Sequence, residues 1–458
     1  MPVLAVVAVL VLLALGWSPG TSGGVNTSLL EGPRLFGAET GPRVCGRTMV
    51  GVAHQDDDLL FVNPVIQREI GPKCAFSTVY LTAGDAGHPY NRGDVVQDRE
   101  KGVRAAYAEM AGVPDRWTRH DVQAAGHRIA SFTLNGEFDV RLSFLRLPDG
   151  QPVGIGYPRY GHQSLLKLFR GEIASIRPVD GSPGYTEPHL VAVLTALARQ
   201  ERISRILTLD YDNVDFGHTY WPGADHSDHG VTARYLRRVA FGLPGITRVT
   251  ATGFLGYDMS RLPEDLGPLL SRQKDAFFQS YRVGEGCMSK SCPAGHYMNG
   301  KYLQWTYREY SVKPRVVRPG EIVSAMGLAN ATGRYQRCLG SAGGGRGADR
   351  AREAATFNCT GRADQSWRVH AGTIESGAGR QCLTAASQRV TVSTCDGRPH
   401  QRWRRDTAGR IRSAASRTGG RCLFQQDLAL RDPRLLLRPC SPARPELSWS
   451  GAGALPVA

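Results

Sequence analysis

No long stretch of this 458-residue chain is poor enough in apolar residues to read as disordered, and 41% hydrophobic content supplies material for fully folded domains. Acidic residues are the scarcer charge, 41 Asp and Glu against 56 Lys and Arg, which leaves a net charge of +15. Such a surplus favours anionic partners in general, among them acidic polysaccharides and negatively charged cell surfaces. A dense basic stripe or a reader motif is missing, so no nucleic-acid partner is expected. The tightest arginine group (Arg402, Arg404, Arg405, Arg410, Arg412) falls in a C-terminal region that has another explanation. No paired C-x-x-C array with histidine partners is present, which argues against a structural zinc site. The apolar run at residues 3–16 is too short for a membrane span and has the length of a signal-peptide core. It lacks the usual basic flank, since no Lys or Arg precedes Arg34. Residues 1–24 are therefore read as a signal peptide, with an uncleaved anchor as the alternative, and no further membrane span is expected.

Ten cysteines are present. Cys45 with Cys74 and Cys287 with Cys292 make neighbouring pairs, and Cys338, Cys359, Cys382, Cys395, Cys422 and Cys440 fall into three more. An even count in such pairs reads as disulfides of an oxidising compartment, so the expected location is secreted or extracellular. The length predicts two or three domains.

Residues 43–310 alternate between strand and helix patterns. Thr48 to Ala53, Phe76 to Thr82 and Ile203 to Leu209 are apolar and strand-like. Arg99 to Ala111, His189 to Arg199 and His229 to Phe241 carry helical periodicity, the first with Val103, Ala106, Tyr107 and Met110 on one face. Such alternation predicts an α/β fold, a Rossmann-like parallel sheet with helices on both faces. Ligands of such sheets bind beyond the carboxyl ends of the strands.

Two clusters sit at that rim. Ala53-His54-Gln55-Asp56-Asp57-Asp58 follows the first strand, and Asp225-His226-Ser227-Asp228-His229 opens a helix after a later one. A His and an Asp three residues apart at a strand end can converge, and imidazole and carboxylate suit zinc. Either cluster alone also fits a solvated loop or a helix cap, Asp225 being a candidate for the latter. Together they predict three protein ligands with an open fourth position, the pattern of a catalytic metal site.

Residues 321–458 have another texture, with 311–320 read as a linker. Cys338-Leu339, Cys382-Leu383 and Cys422-Leu423 each begin a unit of roughly 40 residues that holds a second cysteine. The units close on Gln365-Ser366-Trp367, Gln401-Arg402-Trp403 and Leu447-Ser448-Trp449. Units this small must share one core. The pattern resembles the ricin-type lectin, which implies an all-β β-trefoil with Trp367, Trp403 and Trp449 as core pieces and Gln365 and Gln401 bonded to backbone. Sugar-binding repeats of that family usually carry Asp just after the C-L pair. Here those positions are Gly340, Thr384 and Phe424.

The first region resembles the PIG-L/LmbE family of metal-dependent deacetylases, which includes N-acetylglucosamine deacetylases. The likeness rests on A-H-x-D-D with a later H-x-D-H, on Leu81 to Gly87 and on Asp98-Arg99-Glu100. It implies one Zn2+ per domain held by His54, Asp57 and His229, with Asp56 as general base and His226 facing the oxyanion. It places Arg92 against substrate. Asp228 either orients a histidine from behind or simply enters the helix. Gln55 stands where the family usually has Pro, Asp58 where it has Glu, and Ala224 where some relatives have Tyr. Tyr220 and Trp221 are close enough in sequence to line the pocket. The expected reaction is removal of an N-acetyl group from an amino sugar or glycan, with the trefoil tethering the enzyme to a cell-wall or other polysaccharide. The rivals are a zinc amidase for a non-sugar amide, such as a thiol conjugate or secondary-metabolite precursor, and a non-catalytic carbohydrate-binding protein.

Overall fold

The structure is a computed structural model that describes residues 46–70, 75–90, 95–136, 139–243, 249–284, 302–313, 316–327, 336–342, 352–377, 380–415, 420–431, 434–441, 444–453 and 455–457. The leader, Arg92 and the pairs Cys45–Cys74 and Cys287–Cys292 lie outside the described residues.

The first part is built on seven strands: β1 (Thr48–Val52), β2 (Ala75–Thr82), β3 (Trp117–Ala124), β4 (His127–Leu134), β5 (Asp139–Leu147), β6 (Arg205–Leu209) and β7 (Thr250–Phe254). Their order across the sheet is β3-β4-β5-β2-β1-β6-β7. The five strands from β5 to β7 run parallel, while β3 and β4 add an antiparallel edge. Chain order therefore reverses direction at β1, and the gap between β1 and β6 is the switch point where doubly wound sheets bind ligands. Burial on both faces explains the unbroken apolar run of β1, every residue of which is buried.

Among the described residues, seven helices accompany the sheet: α1 (Val65–Glu69), α2 (Val95–Ala111), α3 (Leu165–Phe169), α4 (Glu187–Gln200), α5 (Ser227–Gly242), α6 (Pro268–Gly284) and α7 (Leu303–Thr306). One face of the sheet packs Val50, Tyr80 and Phe144 against Val103 and Tyr107 of α2 and Phe278 of α6. The other packs Met49, Val79 and Leu81 against α3, α4 and α5, with Leu190, Leu194 and Leu236 at the centre. Both faces are thus covered, as the strand–helix alternation predicts. Among the described residues, no helix is long and apolar enough to cross a membrane.

Just after β1, Asp58 turns under the sheet. Its Oδ2 accepts from the hydroxyls of Tyr80 (2.5 Å) and Tyr107 (2.7 Å), all three side chains being buried. Burial outweighs those bonds and pushes the carboxyl up to about 7.

Ser311 and Val312, within the expected 311–320 linker, run along the outer edge of β7 through the Phe254–Ser311 pairing and a bond from Val312 N–H to Gly253 O. The all-β part follows, and three of its hairpins repeat one pattern. Arg337–Ser341 pairs with Arg352–Asn358, Gln381–Ala386 with Arg389–Thr394, and Arg421–Gln425 with Leu435–Pro439. Each is closed by its own disulfide: Cys338–Cys359, Cys382–Cys395 and Cys422–Cys440. The indoles of Trp367, Trp403 and Trp449 donate to the carbonyls of Leu339, Leu383 and Leu423 at 2.8–2.9 Å, one equivalent bond per unit. Gln365 and Gln401 bridge backbone at Asn358 and Thr360 and at Thr394 and Asp396. The tryptophans and leucines share one core, so this is the β-trefoil that the repeat predicts.

The trefoil is docked on α5. Buried Arg234 donates through Nε to buried Asp427 at 2.9 Å and through Nη1 to the carbonyls of Asn213 and Gly230. Arg238 reaches Glu446 at 3.2 Å, Arg237 donates to the carbonyl of Ala325, and Arg170 donates to that of Ala429. Ala429 is part of the core cluster that covers one face of the α/β sheet.

Asp427→Ala leaves the Arg234 guanidinium buried without its counter-charge, and removing one partner of a buried pair costs about 3 kcal/mol or more. Urea unfolding monitored by near-ultraviolet circular dichroism should show that loss. Asp58 gives a second expectation, concerning pH. With its folded pKa raised from about 3.9 to about 7, the folded state holds the proton longer than the unfolded state. Its contribution is complete below about pH 4 and declines as pH rises to about 7, by at most about 1.4 kcal/mol per pH unit. Asp58→Asn should flatten that decline in a series of unfolding curves across the interval.

Candidate active site

His54 and Asp57 lie on the turn that ends β1, and His229 lies in the first turn of α5. The packing of β1 against β6 and of α5 over both brings them together. His54 Nδ1 lies 3.2 Å from His229 Nε2 and 3.3–3.4 Å from the Asp57 carboxylate, and His229 Nε2 lies 2.9 Å from Asp57 Oδ1. All three side chains are buried.

Asp225 orients His229. Its Oδ1 accepts from His229 Nδ1 and from the His226 backbone N–H, each at 2.8 Å, and from the Tyr257 N–H at 3.3 Å. The Nδ1 proton is thereby fixed on Asp225, which directs Nε2 toward Asp57 and His54. Burial opposes a charge on this ring, but Asp57 and Asp225 on its two sides outweigh it and push it up to about 10. An environment that favours positive charge at a point flanked by two imidazole nitrogens and a carboxylate fits a divalent cation. The donor types are those of zinc and its neighbours, and the Asp225–His229 pair is the usual backing of a metal-bound imidazole.

His226 caps α5, its Nδ1 accepting from Asp228 N–H at 3.2 Å. Its remaining proton therefore sits on Nε2, which faces Asp149 Oδ1 at 3.8 Å. Burial, reinforced by the neighbouring His54, lowers this ring to about 4, so it is a neutral donor at pH 7. Asp228 makes its short bond to Gly150 N–H, 2.7 Å, and lies 3.6–3.8 Å from His54 and His226. It anchors the 149–152 loop, while Asp225 holds the Nδ1 side of the His229 ring. His54, His226 and His229 form one compact donor group, and His54, Asp149, His226 and Asp228 form another that shares two of its members.

Asp56 points into the cavity, its Oδ1 held by Arg99 Nη2 at 2.5 Å. Gln55 turns the other way and ties its amide to Thr82 O at 3.0 Å, joining the ends of β1 and β2. The cavity, about 160 Å³, has Asp56, Asp149, His226 and Thr219 among its polar walls and Phe61, Tyr257, Tyr302 and Trp305 among its aromatic ones. Tyr220 and Trp221 stand outside it and are exposed. Asp149, Asp225 and the Tyr257–Tyr302–Trp305 wall are site features that sequence reasoning does not assign. Asp149 follows β5 in an L-P-D-G stretch that reads as an ordinary turn. The aromatics come from segments with no motif.

At the three trefoil positions after C-L, no sugar-type carboxylate is present. The ring of Phe357 covers Gly340, where an added Cβ would come within 2.8 Å of it. Thr384 is bonded to Ser393 and Gln401, and Phe424 packs on the Cys422–Cys440–Leu447 cluster.

Comparison with known proteins places these features. Residues 49–240 match the family model of GlcNAc-PI de-N-acetylase, PIG-L, and residues 328–449 that of the ricin-type beta-trefoil lectin domain. Among curated proteins, no sequence matches the chain significantly. Similar solved structures include N,N'-diacetylchitobiose deacetylase from Pyrococcus horikoshii, 12% identical over 52% of this chain and 69% of that one, with a TM-score of 0.27. The 4-carboxy-2-hydroxymuconate hydratase of Pseudomonas putida KT2440 is 14% identical over 60% of this chain and 98% of its own, TM-score 0.30. The C-half of an earthworm R-type lectin in complex with GalNAc is 13% identical over 28% and 93%, TM-score 0.22. Residues 49–240 thus carry a domain of the PIG-L de-N-acetylase family, and residues 328–449 add a ricin-type β-trefoil.

Proposed function

We propose that the protein removes the N-acetyl group from an amino sugar or glycoconjugate, with zinc held by His54, Asp57 and His229. The observation that carries this reading is the convergence of those three donors, with His54 and Asp57 lining a cavity that Asp56 and His226 also line. A zinc ion there supplies Lewis acidity, polarising the acyl carbonyl and bringing the pKa of water down from about 15.7 toward 7. Arg99 occupies Asp56 Oδ1, which leaves Oδ2 to take the proton of the attacking water and return it to the departing nitrogen. His226 Nε2–H donates to the developing oxyanion, its ring held from the far side by the helix-cap bond. The neutral state of His226 keeps that proton in place at pH 7.

The amino-sugar part of the reading is supported by the family to which residues 49–240 belong and by the aromatic wall of the cavity. The trefoil supports a carbohydrate partner outside the cavity, and three disulfides support an extracellular setting. Standard galactose binding is not part of the proposal, since Gly340, Thr384 and Phe424 replace the required carboxylates.

The test is acetate release from amino-sugar monomers, chitin-like oligomers and peptidoglycan fragments, before and after chelation and re-addition of zinc. Asp56→Asn should lower kcat about 10²–10⁴-fold while zinc content, read by mass spectrometry, stays at the wild-type level. Unchanged acetate release from every substrate would sink the mechanism. Asp225→Ala should act on the metal instead, weakening zinc affinity about 10–100-fold in a competition titration against a chromogenic chelator.

A further inference from the structure

The cavity at the catalytic residues holds about 160 Å³, well under the roughly 300 Å³ at the small end of ordinary ligand pockets. It accepts an acyl group and part of one sugar. Whatever else the substrate carries must lie over the rim.

Two exposed aromatic residues directly follow a residue of the cavity wall. Thr219 is on the cavity wall, and the next two residues, Tyr220 and Trp221, are 70% and 44% exposed. Their rings are held in place. Tyr220 lies parallel to His218, centroids 5.3 Å apart and planes 6° apart, and Trp221 meets both edge-on at 80° and 86°. Gly217 lies under the indole, and a Cβ there would be 2.2 Å from Trp221 Cε3, so the indole seats directly on backbone. The loop is closed at its base by Gly217 N–H to Asp225 O and Asp225 N–H to Asp215 O, both 2.9 Å, and by Asn213 Nδ2 to Gly223 O. Arg261 donates to the Tyr220 carbonyl at 3.4 Å. The loop therefore ends at Asp225, the residue that orients His229.

Two large aromatic side chains left in water forgo the stabilisation that burial would bring, about 25 cal/mol per Å², and contiguous exposed apolar surface of this kind marks a binding site. Flat rings with an electron-rich face match the C–H face of a pyranose, whose hydroxyls remain turned to water at the edge. We propose that His218, Tyr220 and Trp221 form a saccharide subsite. It stacks the sugar ring next to the one being deacetylated, so the preferred substrate is an oligosaccharide or glycoconjugate rather than a free amino sugar. This rests on the deacetylase reading for the choice of substrate, but its binding test does not require turnover.

In the full-length Asp56→Asn protein, binding of the β-1,4-linked N-acetylglucosamine tetramer is measured by calorimetry with and without Tyr220→Ala plus Trp221→Ala. The pair of substitutions should weaken tetramer binding at least tenfold and leave monomer binding within twofold. With Asp56 restored, KM for the tetramer should rise by a similar factor while kcat/KM for the monomer holds. Equal losses for monomer and tetramer, no loss for the tetramer, or no tetramer binding at the outset would each overturn the subsite. Acetate release that ignores the two substitutions would overturn it too and leave the deacetylase reading standing. Tetramer binding that depends on Tyr220 and Trp221 in a protein that releases no acetate would uphold the subsite and remove the deacetylase reading. Both variants change exposed side chains, and Trp221→Phe, which keeps an aromatic face, should restore most of the tetramer preference.

Discussion

One buried carboxylate organises the catalytic end of the sheet. Asp225 Oδ1 receives the ring of His229, the backbone of His226 and the backbone of Tyr257, so the start of α5, the segment after β7 and one imidazole share a single acceptor. Gly256 makes this approach feasible, because a Cβ there would fall 2.4 Å from Asp225 Oδ2. A charge-assisted bond inside a protein is stronger than its counterpart in water. The same atom thereby fixes helix direction, ring tautomer and cavity wall, and the loop that presents Tyr220 and Trp221 is stapled to the same residue.

Much of this was legible in the sequence because its signals are local. A-H-x-D-D directly after an apolar strand and H-x-D-H at a helix start state both the residues and the rim they occupy. The C-L, second Cys and closing Trp pattern likewise carries the trefoil in three copies. The antiparallel edge was less legible. β3 is mostly polar or half-exposed, and its hairpin with β4 turns on Ala125-Gly126, both at positive φ, which is a weaker signal than Asn-Gly. Asp225 reads from the sequence as a candidate cap for α5, but His226 takes the cap and Asp225 holds the histidine ring. Asp149, Tyr302 and Trp305 reach the cavity only through tertiary folding, which spacing along the chain does not encode.

The least legible feature is the joint between the two parts. Arg234 and Asp427 are 193 residues apart, and both are nearly inaccessible in the fold. Three arginines on one helix (Arg234, Arg237 and Arg238) meet carboxylates or carbonyls of the trefoil. A basic composition that looked like a general preference for anions is, at these positions, used internally. Part of the remaining arginine surplus stays at the surface, where it can act on approaching ligands by long-range attraction.

That joint also changes what a lectin-like appendage can do. A flexible tether raises the local concentration of a polymer around an active site and tolerates many arrangements. A trefoil seated on α5 allows one offset and one direction between the two parts. Where two sites are held at a fixed span, simultaneous engagement depends on whether the ligand matches that span, and the gain in avidity vanishes when it does not. The Arg234–Asp427 contact thus fixes the span between the trefoil and the cavity, so a ligand that engages both parts has to match that span.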